Sequence, residues 1–251
     1  MRAEDKKIKK LNGLQYCTGL GRLLLGGNQI NDLSPLADLK NLTELDIGDN
    51  NISDLSPLAD LKNLTSLSLY ENEICDISAL AELRNLTSLS LDINEIRDLS
   101  ALAGLLNLER LSLSCNAISK QNLNALAGLR NLRDLNLDYN CISDLSALAG
   151  LKNLEDLQLI DNAISDISPL AGLKNLQALE LEDNNISNLR PLSGLTNLDA
   201  LDLMDNNISD VRPLAKLTKL RVLSLARNYD ISDLSALSEL TNLKRPYYDL
   251  L

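Results

Sequence analysis

Leu42-Thr-Glu-Leu45-Asp-Ile47-Gly-Asp-Asn50-Asn-Ile52-Ser-Asp-Leu55-Ser-Pro-Leu58-Ala-Asp-Leu61 is one period of a chain that copies itself. The asparagine that centres it returns at Asn28, Asn50, Asn72, Asn94 and Asn116 in steps of 22 residues. After one step of 24 to Asn140, the period of 22 resumes at Asn162, Asn184, Asn206 and Asn228. A repeat of this length is a single supersecondary unit, which buries its apolar side only by stacking on its neighbours.

Within the quoted unit, Leu45 and Ile47 alternate with Glu44 and Asp46. That period of two predicts a strand with one wet face. Ten such strands in parallel register make a sheet roughly 50 Å long along its curve. The asparagine that follows turns inward, where its amide both donates and accepts hydrogen bonds and serves backbone groups left over at the bend. Ile52, Leu55, Leu58 and Leu61 then recur every third residue, which fits 3-10 turns better than a long α-helix. Five of the six prolines fall at the same step of the repeat, and Ser34-Pro35, Ser56-Pro57 and Ser168-Pro169 read as an N-cap followed by a first helical proline. The predicted fold is therefore an α/β, right-handed leucine-rich-repeat solenoid. It has a concave parallel sheet of about ten strands and short 3-10 turns on the convex side. One domain is expected over 1–251, with a half repeat at 1–19, repeats over 20–243 and a cap at 244–251.

Two units depart from the frame. Two extra residues follow Ile118, where Ser119 is placed to cap an α-helical turn, and one is added after Asn228. The first in-frame residue, Ile8, lies within the basic segment Met1–Lys10, and so little chain ahead of it leaves the N-terminal core thinly covered and points to trimming or self-association there. At the other end Pro246 stops an eleventh strand, and Tyr247, Tyr248, Leu250 and Leu251 are positioned to fold over the last coil. In frame, Cys17 falls in a buried leucine column and Cys75 replaces a turn serine; Cys115 and Cys141 flank ladder asparagines, at an offset that disfavours a disulfide.

Composition narrows the function. Phe, Trp and His are absent, so Leu, Ile and Ala build the core, and no histidine-based triad or metal set exists. There is no Cys-x-x-Cys, no phosphate-cradling glycine loop, no 20-residue apolar span and no secretory leader. Without a leader the chain reads as cytosolic, unless one has been removed. A net charge of −11 argues against nucleic acid and anionic membranes, whose phosphates need clustered Lys and Arg. No cofactor is implied, and membrane insertion is not expected.

The third, fifth and seventh residues of each Leu-x-x-Leu-x-Leu-x-x-Asn unit should face outward on the sheet. They include nine acids (Glu44, Asp46, Asp92, Asp134, Asp138, Asp156, Glu180, Glu182 and Asp202) against Arg22 and Arg110, a net −7. The eighth column adds Asp49, Glu71, Asp161, Asp183 and Asp205 against Arg227, a net −4, which brings the total to the whole-chain −11. Lysines and arginines such as Lys40, Lys62 and Lys152 line the turn before the strands instead. Such a face either steers a basic partner or merely keeps a sheet soluble. Tyr70 with Ile93, Tyr139 with Ile160, and an apolar end around Met204 read as candidate hot spots. Glu180, Glu182 and Asp202 offer carboxylate oxygens of the kind calcium takes, but strand-mounted acids rarely wrap that ion with the six or more oxygens it needs. Paired carboxylates for acid–base catalysis lack the cleft and unequal environments such chemistry requires.

The string Ile-Ser-Asp-Leu-Ser-Pro-Leu-Ala-x-Leu-Lys-Asn-Leu-Thr-x-Leu at Ile52–Leu67, and its variant at Ile164–Leu179, resembles the internalin-type 22-residue repeat of bacterial surface proteins. The resemblance spans residues 8–243 and implies a concave sheet that grips a protein, convex 3-10 helices and a cell-surface or secreted location. The residues together lead to a non-enzymatic scaffold that binds a protein with a basic surface. The evenness of the repeats also fits a designed or reconstructed solenoid with no natural ligand.

Overall fold

The computed structural model describes residues 1–119 and 122–244. Ten parallel strands form one sheet in strict sequence order. They are β1 (Arg22–Leu24), β2 (Glu44–Asp46), β3 (Ser66–Ser68), β4 (Ser88–Ser90), β5 (Arg110–Ser112), β6 (Asp134–Asn136), β7 (Asp156–Gln158), β8 (Ala178–Glu180), β9 (Ala200–Asp202) and β10 (Val222–Ser224). Register is set by the repeat: Leu23 pairs with Leu45, Leu45 with Leu67, and the column continues to Leu223. A slip of one residue would turn every buried leucine to solvent, so a pattern this regular holds the register firmly. Short 3-10 turns return the chain on the opposite side, for example Ser56–Leu58 and Ser146–Gly150, and the leucines and isoleucines between the two layers are almost wholly buried. No helix among the described residues is long and apolar enough to cross a membrane.

The asparagine ladder does the work predicted of it. Asn184 Oδ1 accepts from the Ile164 amide at 3.0 Å, while its Nδ2 donates to the Leu159, Leu181 and Glu182 carbonyls. Each ladder residue thus ties its own bend to the coil before it. A second ladder, unanticipated from the sequence, runs along the opposite rim. Asn41, Asn63, Asn85 and Asn153 each donate to a carbonyl of the preceding coil at 2.8–2.9 Å. Where that column carries lysine, Lys219 reaches Asn197 Oδ1 at 2.8 Å instead.

Five expectations need correction. The 3-10 turns are not capped by their serines: Ser34, Ser56 and Ser168 are the first helical residues, and the cap comes from the aspartate two positions earlier. Asp32, Asp54 and Asp166 Oδ1 each accept the serine amide at 2.8 Å. This geometry suits Asp because a short carboxylate closes an Asx turn onto the amide two residues ahead. The extra residues near Ser119 lead into another 3-10 turn, Leu123–Leu126, with Asn122 as the flanking residue; Ser119 itself bridges to Cys141 in parallel fashion. Cys17 is exposed, since the first coil has no coil beneath it to cover that column. All four cysteines are free and exposed.

Met1–Lys10 is more than a basic lead-in. Ala3 donates to the Leu24 carbonyl at 2.9 Å and Asp5 to that of Gly26 at 3.1 Å, while Arg2 bridges Leu24 in parallel. Residues 1–5 therefore lay a partial extra rung on β1, and Asn28 Oδ1 takes the Ile8 amide as the other ladder asparagines take theirs, and the Lys6 amide besides. The fifth correction concerns Asp138 and belongs to the concave face. The cap read at Pro246–Leu251 lies outside the described residues.

Candidate functional site

On the concave face the sequence-predicted residues share one surface but do not share one role. In every unit the strand ends after the fifth residue, and the eighth sits in the left-handed region, with φ from 48° at Asp161 to 69° at Gly27. Glycine, Asn and Asp tolerate this conformation best. Much of the acidity of the eighth column therefore has a conformational cause. Five of its members break that rule (Glu71, Ile93, Cys115, Tyr139 and Arg227), and the two large apolar or aromatic ones are Ile93 at φ 54° and Tyr139 at φ 52°, both about half exposed. A β-branched side chain there costs about 1–2 kcal/mol, and at Ile93 little burial offsets it. Ile93→Asn is thus expected to raise stability by about 1 kcal/mol in urea denaturation; a loss of stability would mean that Ile93 packs in a way its exposure does not reveal.

The seventh residue is where the curling backbone leaves an amide facing the hollow. Several concave acceptors turn out to cap that amide. Asp46 Oδ1 takes the Gly48 amide, Asn136 that of Asp138, and Asp202 that of Met204, at 3.2, 2.9 and 2.9 Å. Asp92 and Asp138 reach across one rung instead, to the Ser114 amide at 2.9 Å and the Ile160 amide at 2.6 Å. Asp92 also gathers the hydroxyls of Ser90, Ser112 and Ser114. The alternation rule missed this because it assumes strand geometry two residues past the strand's end. An acceptor two residues before the seventh position, as in Asp46-Ile-Gly48, was the signal that could have found it.

Asp138 is the clearest departure. Read from the sequence as an outward residue, it is only 7% exposed. Burial, followed by the Asp156 and Asp92 charges, pushes its carboxyl up to about 6, partly offset by the Ile160 amide. The Tyr70 ring lies over Gly48, on the side of the preceding coil. Burial and the Asp46, Asp49, Glu71 and Asp5 carboxylates raise its phenol. Tyr139 and Ile160 are neighbours through the backbone, the Tyr139 amide donating to the Ile160 carbonyl at 2.8 Å.

Charge on the sheet is uneven. Glu44 is neutralised by Arg22 at 2.8 Å, and Asp205 in the eighth column by Arg227 at 3.2 Å. Between Arg110 on β5 and Met204 after β9, Asp134, Asp156, Glu180 and Glu182 crowd together. Burial and then the charges of Asp138, Asp156, Asp202 and Glu182 raise the Glu180 carboxyl. Asp156 is raised by burial and by Asp134, and Glu182 by burial and by Asp202 and Asp183. Beside this patch, at the strand-entry rim, lies an open depression of about 870 Å³ over Ala178 and Ala200, reaching Lys219 and Arg221 on its far side. No group of three or more His, Cys, Asp or Glu side chains among the described residues is placed to hold a metal ion.

The model described as Leucine Rich repeats (2 copies) matches residues 18–60, 40–82, 130–172, 152–194, 174–216 and 196–242, and that described as Leucine rich repeat matches 84–142. Among solved structures, an internalin (InlF) from Listeria monocytogenes is 31% identical; the alignment covers 98% of this chain and 86% of that one, with a TM-score of 0.74. The chain belongs to the internalin-type leucine-rich-repeat family. A leucine-rich-repeat protein of Leptospira interrogans superposes with a TM-score of 0.89 at 28% identity, covering 97% of this chain and 64% of that protein. The plant peptide hormone receptor RGFR1, solved in complex with RGF2, shares the fold at 23% identity and a TM-score of 0.79, over 94% of this chain and 40% of the receptor. Among curated protein sequences none matches the chain. Internalin-type and related leucine-rich-repeat proteins are protein-binding scaffolds, and the bacterial neighbours place this chain among bacterial repeat proteins.

Proposed function

We propose that this internalin-type chain is a non-enzymatic scaffold that holds a protein partner with a basic surface against its concave sheet, between Arg110 and Met204. The observation that carries this reading is the convergence of Asp134, Asp156, Glu180 and Glu182: after burial, the Asp134 charge raises the Asp156 carboxyl, and the Asp156 and Glu182 charges raise that of Glu180. A sheet that needed acids only for solubility would gain more by spreading them. A one-sign curved surface focuses potential and draws in a cationic partner, most strongly at low salt.

A fluorescein-labelled (Arg-Gly-Ser)4 peptide, followed by anisotropy at low and high salt, tests the reading. Binding should weaken steeply with salt, and the triple variant Asp156→Asn, Glu180→Gln, Glu182→Gln should bind ~10-fold more weakly. Salt-insensitive binding, or an unaffected triple variant, would refute it. One specific observation favours the alternative, a structural solenoid with no ligand: Asp46, Asp92 and Asp202 already serve as backbone caps. Absence of salt-sensitive binding would select that alternative.

A further inference from the structure

The depression at the strand-entry rim has a definite origin. Third-position residues pair across the sheet as Asp156, Ala178, Ala200 and Val222. Two adjacent alanines between larger side chains leave a dent with an apolar floor. Its two ends carry opposite charge. At one end Asp134 and Asp156 face the hollow, while neighbouring Glu155 is already taken up by Arg133 and Gln177. At the other end Asp199 cancels Arg221 through two hydrogen bonds. Lys219 there donates to the neutral Asn197 side chain, and among the described residues no carboxylate pairs with it.

We infer that this dent seats an extended peptide segment of the partner, laid across the strands, with a basic residue on Asp134 and Asp156 and an acidic residue on Lys219. This deepens the preceding proposal and rests on it for the basic end alone. The spacing follows from the fold. Three to four rungs separate the two ends, about 14–19 Å at 4.8 Å per rung, and an extended chain covers that in about five residues at 3.3 Å each. Small residues between the charged ones match a floor of alanine methyls.

The probe is the peptide acetyl-Arg-Gly-Ser-Gly-Ser-Glu-amide, titrated into nitrogen-15-labelled protein and read by amide chemical shifts. Its controls carry Gln in place of Glu, or Gln in place of Arg. Shifts should centre on Ala178 and Ala200, and the parent peptide should bind ~3-fold tighter than the Glu-to-Gln control. Lys219→Gln should abolish that difference without altering the affinity for the control. Ala178→Leu, which fills an only partly buried position, should weaken both peptides. Equal binding of the parent and its Glu-to-Gln control would overturn the inference while leaving the basic-partner reading intact. Shifts centred elsewhere, or no binding by any peptide, would also overturn it; loss of the (Arg-Gly-Ser)4 interaction is the separate result that removes the broader reading.

Discussion

Asn184→Ala is expected to lower unfolding free energy by about 2–4 kcal/mol. The side chain is 7% exposed and makes four hydrogen bonds to backbone groups of two coils. Alanine would strand the Ile164 amide in a place water reaches poorly, and a buried orphan costs about 1–3 kcal/mol; the Leu159, Leu181 and Glu182 carbonyls would each lose one donor but keep another, from Asn162, Asn206 and the Asp161 amide. Because coils contact only their neighbours, the loss should be felt first at this bend. Urea denaturation gives the total, and hydrogen exchange should show the Ile164 amide losing protection before distant core amides. The outer rim supplies the contrast. Asn153 donates once, at 2.9 Å, from an exposed position, so Asn153→Ala should cost less than about 1 kcal/mol, since water replaces that bond. Equal effects at the two sites would show that the inner ladder is not the main staple.

Asp138→Asn is expected to stabilise the protein by about 1–2 kcal/mol at pH 7.5, below the full linkage value because part of the charge remains hydrated. Asparagine keeps an oxygen for the Ile160 amide but removes a buried charge that Asp156 and Asp92 repel. The sign follows from the direction of the shift. The folded carboxyl titrates near 6, above the usual 3.8, so the folded form binds the proton more readily than the unfolded one. The cost of the native aspartate is absent below about pH 4 and complete above about pH 6. The gain from asparagine should therefore shrink as pH falls through that window and be gone at pH 4, as read by thermal melts across the range. Asp138→Ala should instead destabilise, because it strands the Ile160 amide. A gain that does not vary with pH would place the Asp138 charge in water rather than in the fold.

How far the residues could be read depended on whether a feature follows from periodicity or from a bend. Strand positions, the inward asparagines and the 3-10 character follow from spacing, because burial on one face admits a single register. Asp138 escaped because alternation was extended past residue 136, where the strand stops and the chain turns. The left-handed eighth residue escaped for a similar reason: Ile93 and Tyr139 occupy it against preference, so composition alone did not mark it. The outer rim asparagines were visible as a Lys-Asn-Leu motif, yet nothing in a one-dimensional reading indicated that they donate to the coil before. Cys17 was misplaced because frame arithmetic does not know where a stack ends. On the candidate site, the acidic face could be read from residue types, whereas the dent over Ala178 and Ala200 emerges only when pairing sets two small residues side by side.

The left-handed residue that closes each strand at the same step has an implication for how such chains grow. Each coil begins and finishes with the same backbone geometry, so any 22-residue block cut at that joint presents identical ends. A block could be copied, deleted or exchanged with another without disturbing the joinery on either side. Length and face chemistry are in this sense independent variables: lineages, or protein engineers, can extend the hollow by insertion and repaint it by point substitution. Even the 24-residue unit ending at Asn140 keeps that joint, with Tyr139 at φ 52°, so a longer block would fit the same ends.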